Sequence, residues 1–404
     1  MSRRLATSTL ILVGSQAIYN GGMAIEVILM GRWFEALQLD PYFYALSLAS
    51  WFEVGVHWGG QHMVNRESVA RFDALRAKLP GLFASSLLTI LAVTGLVAGF
   101  YSLPLAVFSG CALARAASTL LGAVCIGRGR IAAPAAARVL SAAVGVGGLW
   151  LYVQPEPTLA RLAVVITLAT VGYVLPLVVG SSALGVRLLT VPARWLSIWR
   201  DLARQLWPFM LLFSCSQLLF RVDPSLLEWM GGEPGLLTRY GLAFKWVEGL
   251  FFLPYVVASA AIPALVAAAR DLGHAAAHRI LLRVAAALAA GTIATSAGLL
   301  VVGEPVLVLL VGANFEPSIP LYRVFCWLLP IHSLGVFFAA GLIAQGAERR
   351  VLAITVLAAI VGLAVKIIGF TTVGVDLFAA GVFAGVVVHV FGCGLSLWRQ
   401  PATA

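Results

Sequence analysis

Twelve runs of roughly twenty apolar residues, most of them separated by short charged segments, divide this chain from end to end. They lie near 8–30, 42–64, 81–103, 104–127, 131–153, 161–183, 206–230, 239–263, 281–303, 320–345, 351–372 and 375–398. A helix of about 20 apolar residues crosses the hydrocarbon core of a bilayer. A water-soluble fold has no use for twelve such runs, because more than half of its surface must still meet solvent. The 404 residues are 61% hydrophobic and only 11% charged, against about 25% charged in ordinary soluble domains. The pattern therefore predicts an all-α integral membrane protein of about twelve transmembrane helices.

The charges that remain are arranged. With the N-terminus in the cytoplasm, eighteen Lys and Arg fall in cytoplasmic segments, and four (Arg32, Arg161, Arg239, Arg323) fall in outer ones. Basic residues concentrate on the cytoplasmic side of membrane proteins. The net charge of +10 is thus an orientation signal rather than a nucleic-acid surface, and both termini are expected in the cytoplasm. No nucleic-acid partner is expected; membrane lipids are.

The halves of the chain echo one another. Ser15-Gln16-x-x-Tyr19-Asn20 returns as Ser216-Gln217-x-x-Phe220-Arg221, Trp51-x-Glu53 as Trp246-x-Glu248, and Gly31 as Gly232. The offsets are 195 to 201 residues, near half the chain. This predicts two pseudo-symmetric six-helix lobes, 1–186 and 206–404. Residues 187–205 between them read as an amphipathic linker on the membrane surface, with Trp195, Leu196, Trp199, Leu202 and Leu206 on one face and Arg194, Arg200, Asp201 and Arg204 on the other. In transporters built from repeats, substrate sites lie where the repeats meet.

Nine ionisable residues fall well inside the runs: Glu26, Glu53, Arg115, Arg138, Arg221, Asp223, Lys245, Glu248 and Lys366. Each costs about 3 kcal/mol near the bilayer centre, so as a set they must pair or face water. Two clusters stand out. Arg221, Asp223 and Glu228 share the seventh run, and Lys245 and Glu248 are three apart on the eighth. In the first run Gln16 and Asn20 share a face, with Glu26 to one side. Glu53, His57 and Gln61 form a polar face on the second, flanked by Trp51 and Trp58. Aromatic and amide surfaces of this kind suit sugars.

Other chemistries find little support. Glu53-x-x-x-His57 lacks a third ligand, so no metal is expected. The five cysteines are isolated. The sequence has no phosphate-binding loop and no G-x-S-x-G element. The chain is therefore expected to be no enzyme and to carry no cofactor.

Arg221-Val222-Asp223, the Gly231-Gly232 turn and Tyr240-x-x-Ala243-x-Lys245-x-x-Glu248-x-x-x-Phe252-Leu253-Pro254 together resemble bacterial polysaccharide (O-antigen/exopolysaccharide) flippases. These belong to the multidrug/oligosaccharidyl-lipid/polysaccharide exporter (MOP) superfamily. Gly303-Glu304-Pro305 through Gly312 to Phe315, then Arg323 and Gln345-Gly346-x-Glu348-Arg349, fit the same pattern. The resemblance is specific across about 205–404. Over the first half it rests on topology and the repeat. It implies an inner-membrane flippase that moves a polyprenyl-diphosphate-linked oligosaccharide outward by alternating access. Arg221, Asp223, Lys245 and Glu248 would line its cavity, and Arg221, Lys245 and Arg115 would hold the diphosphate. A proton or sodium ion could couple through Asp223, Glu26 or Glu53. Other polysaccharide-assembly proteins of the membrane are the expected partners. Lys245 stands where relatives often carry Arg, and Pro224 follows Asp223. The first run has no basic residue near its middle, unlike relatives that move the peptidoglycan precursor. A drug/cation antiporter of the same superfamily and a membrane glycan-processing enzyme are the other readings.

Overall fold

A computed structural model describes residues 3–57, 72–186, 195–255, 257–258, 261, 265, 274–345 and 347–398. Its helices are α1 Arg3–Trp33, α2 Ala36–His57, α3 Phe72–Phe100, α4 Leu103–Gly127, α5 Ala132–Gly148, α6 Leu159–Ser182, α7 Trp195–Phe220, α8 Asp223–Trp229, α9 Leu236–Glu248, α10 His274–Gly298, α11 Glu304–Val311, α12 Ile319–Cys326, α13 Leu328–Ala344, α14 Glu348–Thr372 and α15 Val375–Trp398. No strand occurs among the described residues. In hydrocarbon every backbone group needs an internal partner, and a helix supplies it locally.

Nine helical stretches among the described residues are long and apolar enough to cross a membrane. They coincide with the first, third to sixth and ninth to twelfth predicted runs. The other three runs differ for identifiable reasons. The second continues past α2 into residues outside the description, which also hold Trp58, Gln61 and the Gly59-Gly60 pair. The eighth begins as α9, turns after Glu248 and likewise runs out of the described residues.

The seventh run is broken. Pro224 has no N–H to give the Phe220 carbonyl and its ring crowds that carbonyl, which disfavours continuation, although α6 and α7 do run through Pro176 and Pro208. The α7 helix ends at Phe220 and α8 starts at Asp223. Arg221 and Glu228, which share the seventh run, are separated by this break. Residues 187–194 of the predicted linker lie outside the description. From Trp195 onward the chain is one unbroken helix into the seventh run.

By packing, the chain forms two compact units, Met1–Ser214 with Pro224–Thr238, and Cys215–Asp223 with Arg239–Ala404. The first is centred on Leu79, Leu82, Leu120, Val124, Val186 and Leu206. Within it α8 is fastened to α2 by hydrogen bonds. Trp51 Nε1 donates to Ser225 Oγ at 2.8 Å, the Ser225 amide donates to Ser47 Oγ at 3.0 Å, and Trp229 Nε1 donates to the Tyr44 hydroxyl at 3.1 Å. Asp40 of α2 caps the start of α9, accepting from the amides of Gly235 at 2.5 Å and Thr238 at 2.8 Å. A carboxylate is favourable at that site because helix N-termini carry unpaired amides and partial positive charge.

The second unit contains a cluster of Cys215, Leu219, Ala358 and Ala359. Its α14 and α15 form a tight hairpin, turned at Gly374 with φ of 106°, a conformation that favours glycine. Large apolar side chains face outward in both units, among them Leu151, Leu309, Ile368 and Phe391. Bilayer lipid is the natural environment for such a surface.

Candidate functional site

Each unit holds its own polar constellation. In the first, α1 carries Gln16, Asn20 and Glu26. Gln16 Nε2 donates to Asn20 Oδ1 at 2.8 Å, as residues four apart on one helical face can. Glu26 is buried, at 2% exposure, and lies against Gly145 of α5, where a Cβ would collide with its carboxylate. Arg115 of α4 supplies the opposing charge. Its Nε donates to Thr170 Oγ1 at 3.0 Å, and its Nη1 reaches Met23 Sδ at 3.9 Å. Its Nη2 is buried without a hydrogen-bond partner. Glu26 likewise makes no hydrogen bond or ion pair among the described residues. Two opposite charges therefore lie in the apolar interior, each with bonding capacity left over, and such groups mark functional sites in membrane proteins. Arg138 of α5, by contrast, is engaged with the Leu12 carbonyl and Ser15 Oγ, both at 3.1 Å. Tyr19 packs on Tyr173 with ring centroids 5.6 Å apart. Glu53 is buried on α2.

In the second unit Arg221 sits at the helix break and Lys245 and Glu248 on α9. Glu248 accepts from both, Arg221 Nη2 at 3.0 Å and Lys245 Nζ at 2.6 Å. Sequence spacing gave the second contact; the first needed the break. One anion between two cations leaves these three side chains at +1. The Arg221 side chain is 47% exposed and that of Lys245 25% exposed, whereas that of Glu248 is 15% exposed. The arrangement presents positive charge outward and keeps the carboxylate behind it. Charge-assisted hydrogen bonds to an anionic oxygen are the chemistry this suits best.

Asp223 is placed differently from these three. It is fully buried. Its Oδ1 accepts from Lys366 Nζ of α14 at 2.5 Å, and its Oδ2 accepts from the Tyr240 hydroxyl. Lys366 and Tyr240 thus belong with Asp223, a grouping that sequence did not indicate. His332 of α13 was also missed. It is buried among Phe220 and Phe251, with centroids 4.9 and 4.3 Å away, and its Nε2 has no hydrogen-bond partner among the described residues. A histidine in the middle of an apolar run was the signal available.

No family model and no curated protein matches the sequence. Solved structures do. An inward-facing multidrug resistance MATE family transporter of the MOP superfamily matches with a TM-score of 0.67 at 16% identity, over 99% of this chain and 97% of that one. The chain has the fold of MOP-superfamily transporters. The lipid II flippase MurJ in an inward closed conformation matches with a TM-score of 0.70 at 13% identity, over 98% and 88% of the two chains. The eukaryotic MATE transporter AtDTX14 matches with a TM-score of 0.60 at 15% identity, over 98% and 96%. All three similar structures are transporters, and none is an enzyme. The MOP fold spans both halves of this chain, including the first, where the sequence resemblance was weakest.

Proposed function

We propose that this protein is a flippase that carries a polyprenyl-diphosphate-linked oligosaccharide from the inner to the outer leaflet of a bacterial cytoplasmic membrane, for surface or exopolysaccharide assembly. The observation that carries this reading is the net-positive Arg221–Glu248–Lys245 cluster, with its guanidinium half exposed. A cation carrier would be expected to present the opposite sign. The shared fold with a lipid II flippase adds support for a lipid-linked cargo.

Sugar hydroxyls cannot enter hydrocarbon without losing hydrogen bonds, at several kcal/mol each. A protein path that replaces those bonds while the lipid tail stays in the bilayer removes that barrier. Arg221 and Lys245 would bind the diphosphate, and Arg115, with its unpartnered Nη2, would offer a second phosphate contact. Gln16 and Asn20 would bind sugar. Rocking of two lobes would alternate access. A membrane potential negative inside favours outward movement of the anion by about 2.3 kcal/mol per charge per 100 mV.

The second reading, a drug/cation antiporter, draws on Glu26, a buried carboxylate without a bonded partner that could take a proton, a sodium ion or a cationic cargo. Glu53 is the other acid in the first unit suited to ion coupling.

A deletion strain separates the two. Surface polysaccharide should fall and lipid-linked precursor should accumulate facing inward. Wild-type protein should restore both, and Arg221→Glu should restore neither while present in the membrane at normal level. Unchanged polymer and precursor, with drug efflux lost, would replace the flippase by the antiporter.

A further inference from the structure

The break between α7 and α8 creates an unusual set of acceptors. The amides of Arg221 and Val222 both donate to the Gln217 carbonyl, at 2.9 and 3.3 Å. In a continued helix the Val222 amide would have served Leu218, and the Leu219 carbonyl would have been served by the next amide along. The carbonyls of Leu218 and Leu219 converge instead on Lys366 Nζ, at 3.1 and 2.9 Å, with Asp223 Oδ1 as the third oxygen at 2.5 Å. Lys366 and Asp223 are both fully buried.

Two last-turn carbonyls and one carboxylate at the C-terminal end of a broken helix form an all-oxygen, donor-free set. Oxygen sets of this kind at helix breaks in transporters coordinate sodium ions. The set carries one negative charge, which a monovalent cation neutralises and a divalent one would overcompensate. The ammonium of Lys366 fits because it offers three N–H donors to three acceptors. Its stem reaches the cradle past Gly381 of α15, where a Cβ would lie 2.5 Å from Lys366 Cγ.

We infer that Lys366 is a covalently tethered stand-in for an alkali cation, so that the second unit takes no free sodium or potassium at its helix break. Coupling to an ion, if the protein uses one, then falls to the first unit and not to Asp223. The inference concerns the cradle alone and holds whatever the transported cargo is.

The test uses the purified full-length protein in detergent, unfolded by heat in chloride salts of choline, sodium, lithium and potassium at equal ionic strength. Wild-type protein sets the baseline, and with Glu26→Gln and Glu53→Gln removing the first unit's candidate ion carboxylates it should melt at one temperature in all four. Lys366→Ala should melt lower in choline and recover by roughly 2–5 °C as sodium or another small alkali ion approaches saturation. Adding Asp223→Asn should abolish that recovery. Lys366→Ser offers a second opening of the cradle if the alanine variant is not recovered folded. Sodium-specific stabilisation over choline that persists in the Glu26→Gln, Glu53→Gln background would overturn the inference. So would a folded Lys366 variant that responds to none of the three alkali ions. The melts are read without any transport assay, so the failure of the inference and that of the flippase reading are distinguishable.

Discussion

Lys366 and Asp223 illustrate how a charge is held inside an apolar unit. The pair is sequestered from solvent, and each partner's remaining capacity is used, by two carbonyls on one side and Tyr240 on the other. Removing one partner of a buried pair strands the other and costs about 3–5 kcal/mol, whereas replacing both together is often close to neutral. In alkali-free medium Lys366→Met should therefore destabilise by about that amount. The double variant Lys366→Met, Asp223→Asn should recover most of the loss, because the neutral amide can still accept from Tyr240. Denaturant or thermal unfolding of the two single variants and the double one reads the coupling directly, and additive losses would show that the two residues act independently. Sequence marked both residues as ionisable groups that had to find partners. It could not join them, because they are 143 residues apart and nothing in helical periodicity relates α8 to α14. The Lys245–Glu248 contact was legible for the opposite reason, being three residues apart on one helix.

Among the elements, the α14–α15 hairpin depends on close backbone approach. A Cβ on Gly381 would meet Lys366 N at 2.7 Å and the Gly362 carbonyl at 2.8 Å, as well as the Lys366 stem. Small residues at such crossings let membrane helices touch, and here the obstructing atoms include backbone, which cannot move aside cheaply. Gly381→Ala should lower stability by about 1–3 kcal/mol, the usual range for overpacking. It should also disturb the Lys366 cradle. Gly291 on α10 has nothing within 4 Å of the same position, so Gly291→Ala should be neutral or stabilise by up to about 1 kcal/mol. Parallel melting of the two variants distinguishes local crowding from a general intolerance of methyl groups. Helix existence was readable from the apolar runs almost throughout. The break at Arg221 was not readable from proline alone, since Pro208 of the same run and Pro176 of the sixth lie inside unbroken helices. The internal repeat fails at the same place. Asn20 lies within an unbroken α1 while its counterpart Arg221 lies just past the end of α7, so similar sequence yields different local structure in the two copies.

For the molecule as a whole, the distribution of basic residues makes a prediction that hydropathy alone cannot. Apolar runs fix how many times the chain crosses the bilayer but are indifferent to which end lies inside. Lys and Arg break that symmetry, because cytoplasmic loops retain them during insertion. The short connection after α4 contains Arg128 and Arg130, while that between α5 and α6 has Gln154 and Glu156, with Arg161 just inside α6. These two connections should therefore lie on opposite sides of the membrane, the first in the cytoplasm and the second outside. Cys125, Cys215, Cys326 and Cys393 are buried and Cys111 is partly so, which leaves a low background for thiol labelling. Gln154→Cys and Arg130→Cys both place a thiol at an exposed position. In intact cells a membrane-impermeant maleimide should modify Gln154→Cys and spare Arg130→Cys, and inverted vesicles should reverse the pattern. The opposite result would put both termini outside. The flippase reading would then require its cargo to load at the face where the second connection lies, while the potential, negative inside whichever way the protein is inserted, would still favour the anion's exit.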